Sequence, residues 1–141
     1  MRRGIKMISF IVTLAALTFG VSSVSGQDLE QIKIAFEQRI PNVQGKSMVA
    51  VVVNYPPSGK SQAHHHAPSA FIYAYVLSGT IRSQVNDEPA KVYKAGESFF
   101  EVPGSYHRIS ENASDKDPAS LLAIFVVNSD EDTTLTTPDP K

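Results

Sequence analysis

The stretch GKSQAHHHAPSAFIYAYVLSG, from Gly59 to Gly79, decides how this chain folds. It opens behind the turn composition Pro56-Pro57-Ser58, carries His64, His65 and His66 in a row, and is interrupted by Pro68-Ser69. It then runs apolar and aromatic from Phe71 to Leu77 before Ser78-Gly79 turns the chain. Short runs rich in β-branched and aromatic residues and bounded by Gly, Pro and Ser read as strands. Successive side chains of a strand point to opposite faces, so His64 and His66 project together while His65 points away. Imidazole is the commonest protein metal ligand, and the pair reads as two metal ligands on one strand. The plainer alternative is a solvated polar loop, which Ser61-Gln62 would suit.

A third histidine, His107, follows a second turn signal at Val102-Pro103-Gly104-Ser105. A β fold that returns His107 to the first pair gives three convergent imidazoles, half of an octahedral donor set.

Working outward, the sequence keeps the same rhythm. Gln31 to Glu37 alternates Ile32, Ile34 and Phe36 with polar neighbours, which predicts a strand, with a short helix capped by Asp28 as the other reading. Ser47 to Tyr55 is valine-rich and predicts a buried strand. Strands are also expected at Thr80 to Val85, Ala90 to Tyr93, Glu97 to Val102, Tyr106 to Ser110 and Leu121 to Val127, with Glu111 to Pro118 a loop. Gly79 and Gly96 mark corners where the chain changes sheet. Eight or nine short strands with no long helical period indicate an all-β sandwich or closed barrel. The acidic, proline-punctuated segment 128–141 is expected to be an extended or mobile tail.

The first 26 residues read as a signal peptide. Arg2, Arg3 and Lys6 precede the almost wholly apolar run Met7 to Val21, and small residues follow to Gly26. A membrane anchor is the alternative, but a span takes about 20 apolar residues and this run is shorter. The reading implies a secreted or periplasmic protein of one domain, residues 27–127, with no stable membrane insertion after cleavage. Residues 27–141 carry ten Lys or Arg against 14 Asp or Glu, a net charge of −4, so no basic field exists for nucleic acid. The chain has no cysteine, which excludes thiolate catalysis, cysteine-type zinc sites and iron–sulfur clusters.

Taken together, these residues resemble the cupin superfamily, in particular its small single-domain members with a double-stranded β-helix or jelly-roll barrel. Gly59, His64, His66 and Gly79 fit the outline of the first cupin motif. Gly96, Gly104, His107 and Asn112 fit the second, with the family's eleven-residue step from Gly96 to His107. The glutamate of the first motif is missing, since the positions where it would fall hold Phe71 or Ile72. The resemblance implies a divalent transition metal (Fe, Mn, Ni, Cu or Zn) on His64, His66 and His107.

The fourth ligand stays open between Glu101, Gln84 and none. Glu101 could instead pair with Arg82 or Arg108. Tyr73 and Tyr75 are expected in the core or a dimer interface, with hydroxyls available to line a pocket. The function implied is a metal-dependent enzyme, an oxygenase or isomerase acting on a small molecule. The alternative is a non-catalytic module for a small ligand or carbohydrate. A homodimer through Ile32 to Ile40 is a further expectation from the resemblance. Asn112-Ala113-Ser114 also matches a glycosylation sequon.

Overall fold

The computed structural model describes residues 30–140, so the signal-peptide reading lies outside the described residues. Ten strands are present among them: β1 Gln31–Arg39, β2 Lys46–Tyr55, β3 His64–His66, β4 Phe71–Ser78, β5 Thr80–Val85, β6 Lys91–Lys94, β7 Ser98–Glu101, β8 Tyr106–Asn112, β9 Ala119–Asn128 and β10 Thr136–Pro138. They form two five-stranded antiparallel sheets, ordered β1-β2-β9-β4-β7 and β10-β3-β8-β5-β6. No helix among the described residues is long and apolar enough to cross a membrane.

The all-β expectation and the strand at Gln31 are both met. The glycines work as corners: β4 and β5 lie in different sheets on either side of Gly79, as do β6 and β7 around Gly96. Gly79 has φ +69°, and a Cβ there would stand 2.6 Å from the Pro118 carbonyl, so both backbone conformation and space demand glycine.

Alternation then sorts each strand. In β4, Ile72, Ala74 and Val76 face the interior and are fully buried, while Phe71, Tyr73 and Leu77 are exposed. In β9 the inward set is Leu121, Ala123, Phe125 and Val127. Each fully buried aliphatic side chain contributes about 1.5–3 kcal/mol, and ladders such as the ten paired positions of β2 and β9 hold these faces in register. The opposite face of this sheet is also apolar: Phe71 stacks on Phe100, with Tyr73 beside it in register.

The C-terminal tail needs a revised description. It is extended, but Thr136–Pro138 pairs with His66–His64 as an edge strand, and Leu135 packs on the core. Its carbonyl accepts from Ala67 N at 3.0 Å, and Asp139 N donates to Ala63 O at 3.0 Å. Acidic side chains fix it as well, since the Ser69 hydroxyl donates to Glu131 at 2.8 Å. The folded unit therefore runs past residue 127 to include the tail.

Candidate metal centre

β3 and β8 are antiparallel neighbours with His64 directly opposite His107, and His66 follows two residues along on the same face. One ligand atom from each of His64, His66 and His107 lies within 4.8 Å of the other two. His65 faces the other way and stacks on Tyr106 with ring centroids 4.5 Å apart, as alternation requires. The interruption at Pro68-Ser69 ends the histidine strand and lets the chain cross to the other sheet as β4.

Glu101 reaches the histidines by a different route from the one its sequence position suggests. A hairpin would set it beside His107 on one sheet, but β7 and β8 belong to opposite sheets. Glu101 therefore faces the histidines across the barrel. It is 3% exposed, with Oε2 3.0 Å from His66 Nε2 and Oε1 3.3 Å from His107 Nδ1. The Ser105 hydroxyl donates to it at 3.1 Å. The alternative ion pairs do not form: Arg82 pairs with Glu111 and Arg108 with Asp87.

The hydrogen bonds set the state of each ring. His64 Nδ1 lies 2.7 Å from the Gln62 carbonyl, which can only accept, so Nδ1 carries the proton and Nε2 keeps its lone pair. His107 has the Ser83 hydroxyl 2.9 Å from Nε2 and the Glu101 carboxylate on its Nδ1 side. His66 is different. It is buried, its Nδ1 has no partner, and its Nε2 has only the Glu101 carboxylate at 3.0 Å, a contact that does not meet hydrogen-bond geometry. An unsatisfied buried polar group costs about 1–3 kcal/mol and calls for an explanation.

Charges follow the same geometry. Burial lowers the His107 pKa to about 4, outweighing the attraction of Glu101, and burial likewise lowers that of His64. Metal ligation requires neutral imidazole, and these two rings are neutral at ordinary pH. For Glu101 burial works against ionisation, but the contacts with His66, His107 and Ser105 outweigh it and hold the carboxyl below the usual range. Three close imidazoles, one with orphaned nitrogens, beside a buried carboxylate fit a divalent transition metal.

The cluster faces a cavity of about 360 Å³, walled by Val51, Ile72, Leu121, Phe125 and Leu135, with Ile32 and Ile34 at its rim. A second polar group lines the same space. Tyr55 Oη is 2.8 Å from both Ser61 Oγ and Ser110 Oγ, and Ser61 donates to the Glu30 carboxylate. Each hydroxyl has one proton, so the terminal acceptor fixes the direction: Ser110 donates to Tyr55, Tyr55 to Ser61, and Ser61 to Glu30.

Several sequence-based assignments need correction. Gln84 does not line this cavity; it lies on the outer side of β5 and donates to the Glu88 carbonyl at 3.0 Å. Its neighbour Ser83 points inward to His107, which alternation from buried Ile81 would have indicated. Tyr73 and Tyr75 occupy the outer face of β4, opposite Ile72 and Ala74, so their hydroxyls do not line the cavity either. Asn112 is buried, and its amide donates to the carbonyls of Pro56 at 3.1 Å and Asp117 at 2.7 Å. Its own oxygen accepts from Ser114 N. That pins the loop and leaves no free amide for a glycan. Ser105 and the hydroxyl chain carried no motif and were missed.

The architecture and site define a double-stranded β-helix protein with a histidine cluster inside its barrel. A family model described as "Cupin domain" matches residues 51–125, more than half of the sequence, and the protein belongs to the cupin family.

Similar solved structures include an uncharacterized conserved protein with a double-stranded β-helix domain from Klebsiella pneumoniae. It has TM-score 0.62 and 18% identity, covering 81% of this chain and 87% of that one. Recombinant oxalate oxidase in complex with glycolate has TM-score 0.55 and 22% identity; the match covers 72% of this chain and 52% of the oxidase, about half its length. KdgF from Halomonas sp. has TM-score 0.55 and 17% identity, covering 75% and 87%. No curated protein matches in sequence. At these identities the likeness is one of fold, and fold alone does not select a function.

Proposed function

We propose that this protein is a secreted or periplasmic cupin that holds one divalent transition metal on His64, His66 and His107 and serves as an oxygenase acting on a small molecule. The observation that carries the reading is the convergence of His64, His66 and His107, with His66 buried, its Nδ1 without a partner and its Nε2 met only by the Glu101 carboxylate. A bound metal at such a site supplies Lewis acidity and open positions for a substrate and dioxygen. The protein's own contribution is positional. The Gln62 carbonyl sets the His64 tautomer, Ser83 and Glu101 steady His107, and Glu101 offsets part of a dication's charge. The apolar walls exclude water around a bound molecule.

A second reading, a non-catalytic module for a small ligand or carbohydrate, is favoured by one feature. The Glu101 carboxylate and the three hydroxyls are all engaged, so with the three imidazoles committed to a metal none of these groups is left uncommitted to act as a general base.

Elemental analysis of residues 27–141, purified without a histidine tag, separates these readings from a barrel that binds no metal. About one transition metal per chain, lost in His64→Ala/His66→Ala, supports the centre; oxygen uptake with a substrate then divides enzyme from module. Metal-free protein after reconstitution with each of the five metals would sink the metal reading. Two exposed apolar surfaces support the proposal of a homodimer: Ile32, Ile34 and Phe36 within Ile32 to Ile40, and the outer face around Phe71, Tyr73 and Phe100. Light scattering is expected to give about twice the monomer mass, reduced to the monomer by Phe100→Glu.

A further inference from the structure

We infer that the cavity beside the histidines selects a neutral small molecule with an apolar body and a single polar head, and rejects small dicarboxylates and sugars. This deepens the proposed function and rests on it only for the part that the histidine end would play.

Three features of the lining carry the inference. First, among the described residues none that lines the cavity is Lys or Arg, and the charged groups they offer besides the histidines are two carboxylates, Glu30 and Glu101. A dication on the histidines would be balanced by those two charges, so an entering anion meets no uncompensated positive charge. An unpaired buried charge is strongly disfavoured, and no side chain here relieves it.

Second, the hydroxyls of Tyr55, Ser61 and Ser110 are already committed to one another, and the remaining hydroxyl of the lining, Thr136, belongs to an exposed residue of the edge strand β10. Ser110, Tyr55 and Ser61 pass their protons along a single chain to Glu30. A polyhydroxylated ligand would leave several of its own groups unpaired against aliphatic walls, at about 1–3 kcal/mol each.

Third, the space is made by small side chains where larger ones would fill it. Ala74 of β4 and Ala123 of β9 are direct cross-strand partners, both facing inward and both buried. They are flanked on the same face by Ile72, Leu121 and Phe125. Two adjacent alanines in the middle of an aliphatic floor hollow it out, whereas two leucines there would close it. At about 30 Å³ per water-sized group, the volume admits roughly a dozen non-hydrogen atoms. An apolar body over the alanines would place its head toward His64 and His66 at the polar end.

Methyl NMR titrations test this with three named probes, 4-ethylphenol, oxalate and glucose, on the metal-reconstituted protein and on His64→Ala/His66→Ala. The expected result is that 4-ethylphenol shifts the Ile72, Leu121 and Ala123 methyls, with oxalate and glucose at least about tenfold weaker. Ala123→Phe should weaken 4-ethylphenol by at least about tenfold with metal content unchanged; Ala74→Val serves the same purpose if the larger residue impairs folding. Oxalate or glucose binding as tightly as 4-ethylphenol, or binding indifferent to both alanine substitutions, would overturn the inference. If no metal loads but 4-ethylphenol still binds at Ala123 with that selectivity, the metal reading fails and the inference stands. If metal loads and none of the probes shifts those methyls, the inference fails alone.

Discussion

Two polar clusters line one cavity, and they differ in how their hydrogen bonds close. In the first, Ser110, Tyr55, Ser61 and Glu30 form a chain in which every hydroxyl proton has an acceptor. In the second, His64, His66, His107 and Glu101 crowd together without closing: His66 Nδ1 has no partner and Nε2 has only the Glu101 contact, outside hydrogen-bond geometry. Both clusters remove polar atoms from water, so both incur desolvation, but only the first recovers it fully within the protein; the second recovers part of it through Gln62, Ser83 and Ser105. The closed cluster behaves as structure. The open one is energetically incomplete until something else supplies the missing partner, which is how a binding site differs from a buried polar brace.

The largest test of that contrast exchanges the unsatisfied ring for an apolar side chain. His66→Leu should weaken metal loading by more than about 100-fold, equivalent to about 2.7 kcal/mol. In the metal-free chain it should cost about 1–3 kcal/mol, because the buried Glu101 carboxylate loses the His66 contact at 3.0 Å. Calorimetric metal titration and urea unfolding check the two halves. Unchanged metal affinity would place His66 with the structural cluster.

The closed cluster has its own signature in alkali. Burial raises the Tyr55 pKa from 10.0 to about 12, against the lowering effect of its bonds with Ser110 and Ser61. Above pH 10 the unfolded chain releases this proton while the folded chain keeps it. The associated stability is therefore complete below pH 10 and is lost as pH rises through 12. The loss approaches about 3 kcal/mol, at 1.36 kcal/mol per unit. Urea midpoints measured from pH 9 to 12 should show this slope and lose it in Tyr55→Phe.

That variant is itself the next test. Removing one oxygen leaves the Ser110 hydroxyl without an acceptor and Ser61 without a donor, so Tyr55→Phe should cost about 1–3 kcal/mol. Metal content should not change. A coupled loss of metal would join the two clusters into one functional unit.

The contrast was only half visible in the sequence. His64, His66 and His107 could be read because a period-two strand and motif spacing fix both the face and the meeting point. The corners at Gly79 and Gly96 could be read because glycine has a steric reason to be there. Glu101 was placed near the histidines for the wrong reason, since local spacing cannot tell a hairpin within one sheet from a turn that crosses between two. Gln84, Tyr73 and Tyr75 failed on parity: a polar or aromatic residue type suggested a pocket, while Ile81, Ile72 and Ala74 already fixed which face was inside. The hydroxyl chain had no motif at all. Its members come from β1's approach, β2, the loop before β3, and β8, and only tertiary structure brings them together. The tail was legible as extended, but its pairing with β3 depends on backbone hydrogen bonds that leave no mark on composition.

Ser83 gives the smallest and most discriminating test, because it belongs to the open cluster by position and to the closed kind by bonding. Its hydroxyl lies 2.9 Å from His107 Nε2, and both groups are buried. If Ser83 orients the ring toward a metal, Ser83→Ala should weaken metal affinity by about tenfold, within the range for residues that support a ligand. The metal-free protein should lose at most about 1.5 kcal/mol, the net worth of one neutral hydrogen bond. Ser83→Thr, which retains the hydroxyl, should recover most of the affinity if the extra methyl is accommodated. Weaker metal binding that the threonine restores identifies a positioning residue. Unchanged metal binding with lower stability would make the serine part of the brace, and the division between the two clusters would then fall at His107 itself.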